Sequence, residues 1–392
     1  MTDCGIQSAK QTHSYQMDQL ISDTLQPSAT QSTKLRPLAI YLPQYHPVPE
    51  NDEWWGMGFT EWANVAKATP RFLGHRQPHL PADLGFYDLR VAETRKQQAD
   101  MARKYGIHGF CYYHYWFNGR RILERPFNEV LASGEPDFPF CLCWANENWT
   151  RRWDGQDQEV LLKQEYSLED DLAHIRSLAP AFADPRYIRV NNKPLFAVYR
   201  SEAFPNIRQT LETWREEALK MGIGELYLVR MESFMRDTNP HEMGFDAAFD
   251  FQPAFNAPLV RQLGSLSSRA LNKLKLKDSS YYQNVVYQYE ELARYMLERQ
   301  EVPYKRFPGV SPGWDNSARR KKNAHILAGS TPELYENWLR GTIEKFVPYS
   351  QDENFVIINA WNEWAEGNHL EPDSTWGRGY LEATASALGI PF

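Results

Sequence analysis

Residues 355–366 read FVIINAWNEWAE. Four apolar residues, three of them β-branched, open the stretch, and Asn, Glu and Trp close it. A short apolar run of this kind suits a strand buried on both faces, and the switch to polar and aromatic residues marks where the chain leaves the sheet. From Leu35 onward the same unit recurs. Apolar runs occupy Leu38 to His46, Gly106 to Trp116, Phe138 to Trp149, Lys193 to Arg200, Glu225 to Ser233, Phe245 to Pro253, Arg306 to Asn316 and Phe355 to Glu366. Amphipathic stretches at helical spacing separate them, most clearly Leu89 to Tyr105, Leu168 to Ala181, Pro205 to Met221, Tyr282 to Arg299 and Pro332 to Val347. The segment Met235 to Met243 is short and holds Pro240, so its helix is the least defined. Eight strands with helical crossovers predict an α/β fold, a (β/α)8 TIM barrel, as a single catalytic domain over 35–392.

The long connections predict where function lies. Pro47 to Asp88, Thr150 to Ser167 and Ala254 to Tyr281 follow the first, third and sixth strands. All three emerge at the C-terminal ends of the strands, where barrel enzymes build their sites.

The chain has 392 residues, 43 Lys+Arg against 50 Asp+Glu, a net charge of −7 and 42% hydrophobic residues. That composition belongs to a globular protein with a large core. Without a clustered basic excess, nucleic acid is not the expected partner. No run approaches the ~18 apolar residues of a spanning helix. Residues 1–34 are rich in Ser, Thr, Gln and Asp, lack a basic start followed by an apolar block, and read as a disordered or weakly ordered N-terminal tail rather than a secretion signal. Cys4, Cys111, Cys141 and Cys143 are few for this length, and three sit in apolar runs, which predicts reduced core residues in a cytoplasmic protein. Cys141 and Cys143 lack the spacing of a zinc knuckle. His46 and His114 lie outside any His-x-His or His-Glu-x-x-His pattern. No metal and no cofactor is therefore expected.

Of 13 tryptophans, Trp214 and Trp338 fall on expected helices, and the other 11 at strand ends or in the loops that follow. A sugar ring offers a C–H face with hydroxyls at its rim, so flat apolar platforms beside polar groups suit it. Capping of the barrel top is the competing reading for any single tryptophan. Eleven together favour a carbohydrate cleft and an oligosaccharide or polysaccharide substrate. The matching polar groups at the strand ends give candidate substrate-binding residues: Tyr41, Gln44, Tyr45, Trp54, His114, Trp116, Trp144, Asn146, Glu147, Tyr199, Glu232, Asp250, Gln252, Trp314, Asp315, Trp361, Asn362 and Trp364. His114 reads equally well as a hydrogen-bonded core histidine.

Glu363 and Glu366, flanked by Trp361 and Trp364, are the candidate catalytic pair. Glycosyl transfer passes through an oxocarbenium-like state and usually employs two carboxyl groups about 5–9.5 Å apart. Residues three apart point to opposite faces of a strand, but a helical or bridge conformation after the eighth strand brings both to one side. Aromatic neighbours and a like charge then raise the pKa of one of them.

Trp361 to Gly367 with Leu370-Glu371-Pro372 resembles the signature of the family 99 glycoside hydrolases, which are endo-α-mannosidases. The stretch from about Leu38 to Tyr380 resembles the related WbsX-type proteins. It includes Leu42-Pro43-Gln44-Tyr45-His46, Trp54-Trp55-Gly56, Gly58-Phe59-Thr60-Glu61-Trp62 and Trp144-Ala145-Asn146-Glu147-Asn148-Trp149. WbsX-type proteins are associated with bacterial O-antigen and capsule gene clusters and described as glycosyltransferases. The hydrolase resemblance implies a retaining reaction through a 1,2-anhydro sugar, with Glu363 acting on the 2-hydroxyl and Glu366 as acid, then base. Ala365 departs from the histidine usual there, which bears on substrate choice. The first-strand motif follows the WbsX pattern rather than the hydrolases.

Three functions compete: a glycan-cleaving or transglycosylating enzyme, a nucleotide-sugar glycosyltransferase, and a glycan-binding protein with inert carboxylates. Neither Gly-x-Gly-x-x-Gly nor Asp-x-Asp is present, which weighs against the nucleotide-sugar enzyme. Arg319-Arg320-Lys321-Lys322 reads either as a phosphate or acidic-sugar contact or as a solvated run.

Overall fold

A computed structural model of the chain describes Met1 and residues 35–150, 160–233, 237–262 and 283–392. Apart from Met1, the expected tail lies outside the described residues, as do Cys4, Trp153, Met235 and most of Ala254 to Tyr281.

Among the described residues nine parallel segments form the central sheet: β1 (Arg36–Tyr41), β2 (Gly109–Phe117), β3 (Phe140–Trp144), β4 (Lys193–Val198), β5 (Tyr227–Met231), β6 (Ala247–Phe249), β7 (Arg306–Phe307), β8 (Gly309–Val310) and β9 (Phe355–Ile358). Each of β1 to β6 pairs with the next, β6 pairs with β7, and β9 pairs with both β8 and β1. β7 and β8 are one strand position split by Pro308, which brings no N–H to a ladder; its carbonyl still accepts from Ile357 N at 2.9 Å. Gly309 is required beside it, because a Cβ there would stand 1.8 Å from the Asp250 carbonyl oxygen. The nine segments thus make the expected eight-position barrel, interrupted at one point.

Helices cover the outside. α1 (Pro49–Trp55) and α2 (Trp62–Lys67) lie in the long first loop, so Trp54, Trp55 and Trp62 sit on short helices rather than open loop. The crossover layer comprises α3 (Ala92–Lys104), α4 (Arg125–Ser133), α5 (Leu168–Ala183), α6 (Ile207–Lys220), α7 (Pro240–Met243), α8 (Tyr289–Glu298) and α9 (Pro332–Lys345), and α10 (Gly379–Ala387) follows β9. Side-chain caps fix the starts of four of them: Ser167, Asn206, Asn239 and Thr331 accept from the N–H groups of Asp170, Gln209, His241 and Leu334. α4 and α10 are not among the stretches expected from sequence, although α4 is strongly amphipathic, and α7 is a single turn after Asn239-Pro240. Among the described residues no helix is long and apolar enough to cross a membrane.

Alternation along β2 sorts its side chains. Phe110, Tyr112, His114 and Trp116 point to the helices, with Tyr112 5.4 Å from Phe127 on α4 and Trp116 stacked at 4.9 Å on His174 of α5. Cys111, Tyr113 and Tyr115 point inward. Cys111, Cys141 and Cys143 are free thiols buried in the core. The strands are shorter than their sequence signal, and β9 stops at Ile358, so Asn359 to Glu366 belong to the face above the barrel.

Candidate active site

Every barrel position contributes to a cavity of about 520 Å³ at the C-terminal ends of the strands. Leu42 and Gln44 follow β1, Tyr113 and Tyr115 come from β2, Glu147 and Trp149 follow β3, and Tyr199 follows β4. Ser233, Phe251 and Phe255 follow β5 and β6. Trp314, Asn316, Arg319 and Arg320 follow β8, and Asn359, Glu363 and Glu366 follow β9.

A tight hairpin brings the two glutamates together. Asn362–Glu363 pairs antiparallel with Asn368–His369, and between them Trp364–Glu366 forms one 3-10 turn. Residues three apart eclipse on such a turn, so both carboxylates face the cavity. Gly367 ends the turn at φ +56°, and a Cβ there would stand 2.9 Å from the Asp315 Cβ, so the position requires glycine. Asn362 ties the hairpin to the end of β1: its Oδ1 accepts from Leu42 N at 2.8 Å and its Nδ2 donates to Leu42 O at 3.0 Å. Tyr45 Oη accepts from Trp364 N at 3.1 Å. The Trp364 indole donates to Glu371 at 2.6 Å, and Glu371 also accepts from Gln98 and Tyr87.

The Arg319 guanidinium joins three carboxylates. It donates to both oxygens of Glu61 at 2.6 Å, to Glu366 at 2.5 Å and to Glu363 at 3.2 Å. Two carboxylates on one planar guanidinium lie within the ~10 Å that a paired-carboxylate reaction needs. Burial, then the Glu366 charge, pushes Glu363 well above the usual carboxylate range, with Arg319 opposing. Burial also raises Glu366, again against Arg319. Three acids to one base in a buried cluster favours retention of a proton. The basic run is thus divided: Arg319 is drawn into the acids, Arg320 lines the cavity and Lys321 and Lys322 are exposed.

Of the residues proposed from sequence, Gln44, Glu147, Tyr199, Trp314, Glu363 and Glu366 line the cavity. The others do not, for identifiable reasons. His114 bonds His174 at 2.9 Å behind β2, where burial drives both histidines well below their ordinary pKa. Trp116 donates to Asp170 at 2.9 Å, and Trp144 packs 4.3 Å from His174 and 5.8 Å from Trp214. Neither tryptophan is a wall of the cavity. Tyr41 donates to Gln98 at 2.7 Å, and Trp361 is buried 5.1 Å from Phe110. Tyr45, Asn362 and Trp364 hold the hairpin from below, and Trp54 packs 6.1 Å from Trp149 of the cavity wall. Asn146 pins the backbone of Arg200 at 2.7 and 2.9 Å. Glu232 and Asp250 pair with Arg306 and Arg299, and Gln252 accepts from Ala254 N at 3.0 Å. Asp315 accepts from His75 and Gln77 at 2.6 Å in the wall of a smaller cavity. His46 is buried, with burial lowering its pKa to about 4, and lines neither cavity.

Sequence reasoning missed Tyr113, Tyr115 and Glu61 as site residues, and offered Arg319 only within a basic run that read either as a phosphate or acidic-sugar contact or as solvated. Strand parity would have selected the two tyrosines in place of His114 and Trp116. Nothing local marks Glu61, which meets Arg319 across 258 positions of sequence.

A family model described as glycosyltransferase WbsX matches residues 37–384. Two curated relatives, both uncharacterized proteins WxcX from strains of Xanthomonas campestris pv. campestris, are 45% identical over 352 residues, 90% of this chain. The chain spans about half the length of these relatives, 49%. Solved structures with the same fold include a glycoside hydrolase-like protein at 14% identity and TM-score 0.56, covering 94% of this chain and 99% of that one. A GH99 endo-α-mannosidase from Bacteroides thetaiotaomicron is likewise 14% identical with TM-score 0.56, covering 90% and 96%. At such identities the likeness is one of fold.

Proposed function

The chain belongs to the WbsX glycosyltransferase family, and from that premise we propose an enzyme that cleaves or transfers a glycosidic bond, α-mannoside-like, in bacterial surface polysaccharide, with retention. The observation that carries this reading is the placement of Glu363 and Glu366 on one turn, both bound to Arg319, in a cavity of the size small-ligand sites have. Tyr113, Tyr115, Trp149 and Phe251 give the cavity aromatic walls for sugar C–H faces. Gln44 Nε2 and Trp314 Nε1 are buried donors without an acceptor among the described residues, and sugar hydroxyls would satisfy them.

In the proposed reaction Glu363 takes the proton of the 2-hydroxyl, whose oxygen attacks the anomeric carbon. The bond to the leaving oxygen breaks, and that oxygen receives a proton from Glu366. Glu366 then removes a proton from water or an acceptor hydroxyl, which opens the 1,2-anhydro ring, while Glu363 returns its proton to the 2-oxygen. Burial raises Glu363 more than Glu366, and Arg319 opposes the acid role of Glu366 for as long as it stays 2.5 Å away, so the reaction requires the shared proton to stand on Glu366 once the sugar is bound. Its two contacts to Glu61 give it somewhere to remain when the sugar enters.

A nucleotide-sugar transferase is the alternative reading, favoured by Arg320 on the cavity wall, a cation that a diphosphate could contact beside the Arg319 cluster. One experiment addresses both. The full chain is incubated with O-antigen and capsular fragments, with and without sugar nucleotides, and products are resolved by mass. New products from fragments alone support cleavage or transfer between glycans, a strict need for a sugar nucleotide supports the alternative, and turnover unchanged by Glu366→Gln refutes the paired-carboxylate role.

A further inference from the structure

Behind the hairpin lies the smaller cavity, of about 250 Å³, lined by His75, Arg76, His79, Asp315 and His369, with Ser330, Trp376 and Tyr380 on its far side. In its wall His79 Nδ1 stands 3.1 Å from His369 Nε2, and His369 Nε2 stands 3.9 Å from Asp373 Oδ2. These three atoms all lie within 4.8 Å of one another.

A hydrogen bond fixes which nitrogen of His369 carries the lone pair. His369 Nδ1 is 2.9 Å from the Glu371 carbonyl oxygen, which can only accept, so the proton is on Nδ1 and the neutral ring turns an Nε2 lone pair toward His79. An Arg76 N–H, which can only donate, is 3.1 Å from His79 Nδ1, which accepts from it in one tautomer and donates to His369 Nε2 in the other. The His369 Nε2 lone pair thus faces His79 Nδ1 at 3.1 Å, beside a carboxylate oxygen that receives Arg76 at 2.9 Å. Asp373 is oriented by its other oxygen, which accepts from Thr375 N and Trp376 N at 2.7 Å. Two imidazole nitrogens and a carboxylate oxygen thus converge on one point, where the Arg76 guanidinium now supplies the positive charge.

We propose that His79, His369 and Asp373 form a binding site for a divalent transition metal, with zinc the best match. Two imidazole nitrogens and one carboxylate oxygen are a zinc donor set, and ligands about 2.0–2.2 Å from a tetrahedral ion stand a little over 3 Å apart, near the spacing already present. The fourth position opens on the smaller cavity. The Nδ1–H of His369 bound to a carbonyl is the outer contact that orients metal-bound histidines. Arg76 occupies this place now and must leave; its side chain is 29% exposed and lies 5.8 Å over Trp376, which offers it a seat outside. The ion would tie the first βα loop to the β9 hairpin through His369, which stacks at 3.8 Å on Trp364. The spacing of residues along the sequence could not reveal this set, because His79 and His369 are 290 positions apart.

The test uses the full chain, stripped with chelator, loaded with zinc sulfate, freed of excess by gel filtration and assayed by elemental mass spectrometry. One zinc per chain is expected, together with the visible absorption of four-coordinate cobalt when cobalt(II) is the probe. His79→Ala should lose both. Arg76→Gln removes the competing cation and should bind zinc about tenfold or more tightly, a gain that misfolding cannot imitate. The proposal is overturned by substoichiometric zinc in both the unaltered chain and Arg76→Gln, or by zinc content unchanged in His79→Ala.

Discussion

Two crowded regions sit at the C-terminal ends of the barrel strands, and they do opposite things with the same residue types. Around His174 the rings of Trp116, Trp144, Trp214 and His114 close the space between β2, β3 and α5, leaving no room for a ligand. Around Arg319 the rings of Tyr113, Tyr115, Trp149 and Trp314 border a cavity, and carboxylates face it. Residue class does not separate the two. What surrounds each region does: α5 and α6 seal the space around His174, while the Arg319 cavity is lined by inward residues of β2 and by the segments that follow the strands. Aromatic and polar residues at a strand end therefore mean a site only on the inward parity of the strand.

The largest effect expected of this contrast is chemical. Glu366→Gln should lose about 100- to 10,000-fold on a natural-type disaccharide yet retain turnover of an activated aryl glycoside, whose leaving group needs no proton. Glu363→Gln should lose both, because activation of the 2-hydroxyl serves every substrate. Equal losses for both variants on both substrates would contradict the division of roles, and full activity of Glu363→Gln on a 2-deoxy substrate would remove the anhydro route.

On the sealed side the expected effect is structural. Trp144→Ala deletes a fully buried indole packed against His174, Phe204 and Trp214 and should cost about 3–5 kcal/mol of stability. Thermal unfolding would register it, with KM unchanged for the folded fraction. A raised KM with unaltered Tm would move Trp144 into the binding surface. Trp149 gives the converse. It is partly exposed on the cavity wall, so Trp149→Ala should raise KM roughly tenfold, the worth of one lost aromatic contact, with little change in Tm. A large fall in Tm would mean that the ring is structural after all.

The barrel was legible because eight buried parallel strands leave apolar runs that periodic helices separate, and none of that depends on detail. Glu363 and Glu366 were legible because their spacing and their tryptophans fall just past the last run. The remaining lining was not. His114 and Trp116 were chosen for their chemistry, whereas the strand assigns inward positions to Tyr113 and Tyr115. Arg319 read as part of a basic run, because the acids that draw it inward come from a loop and a hairpin remote in sequence. Asn362 and Trp364 resemble site residues and instead build the hairpin: a polar group that fixes a backbone cannot be told by type from one that holds a substrate.

The smallest effect returns to the sealed region. Asp171 on α5 accepts from Thr210 Oγ1 at 2.8 Å, and burial pushes its carboxyl up from the ordinary 3.8 to about 6. A carboxyl that holds its proton more tightly when folded makes folding take up a proton between about pH 4 and pH 6. Stability from this group is therefore full below pH 4, falls as pH rises to about 6, and is flat above. Asp171→Asn keeps an acceptor for Thr210 and removes the titration, so its Tm should gain on the unaltered chain as pH rises through that window. The gain should be only on the order of 1 kcal/mol, because the N-terminal end of α5 favours the anion and offsets part of its burial. Thermal unfolding of both proteins from pH 4 to pH 7.5 decides it. A difference that shrinks with rising pH would mean that the helix terminus outweighs burial, and that this corner of the sealed region is more polar than its packing implies.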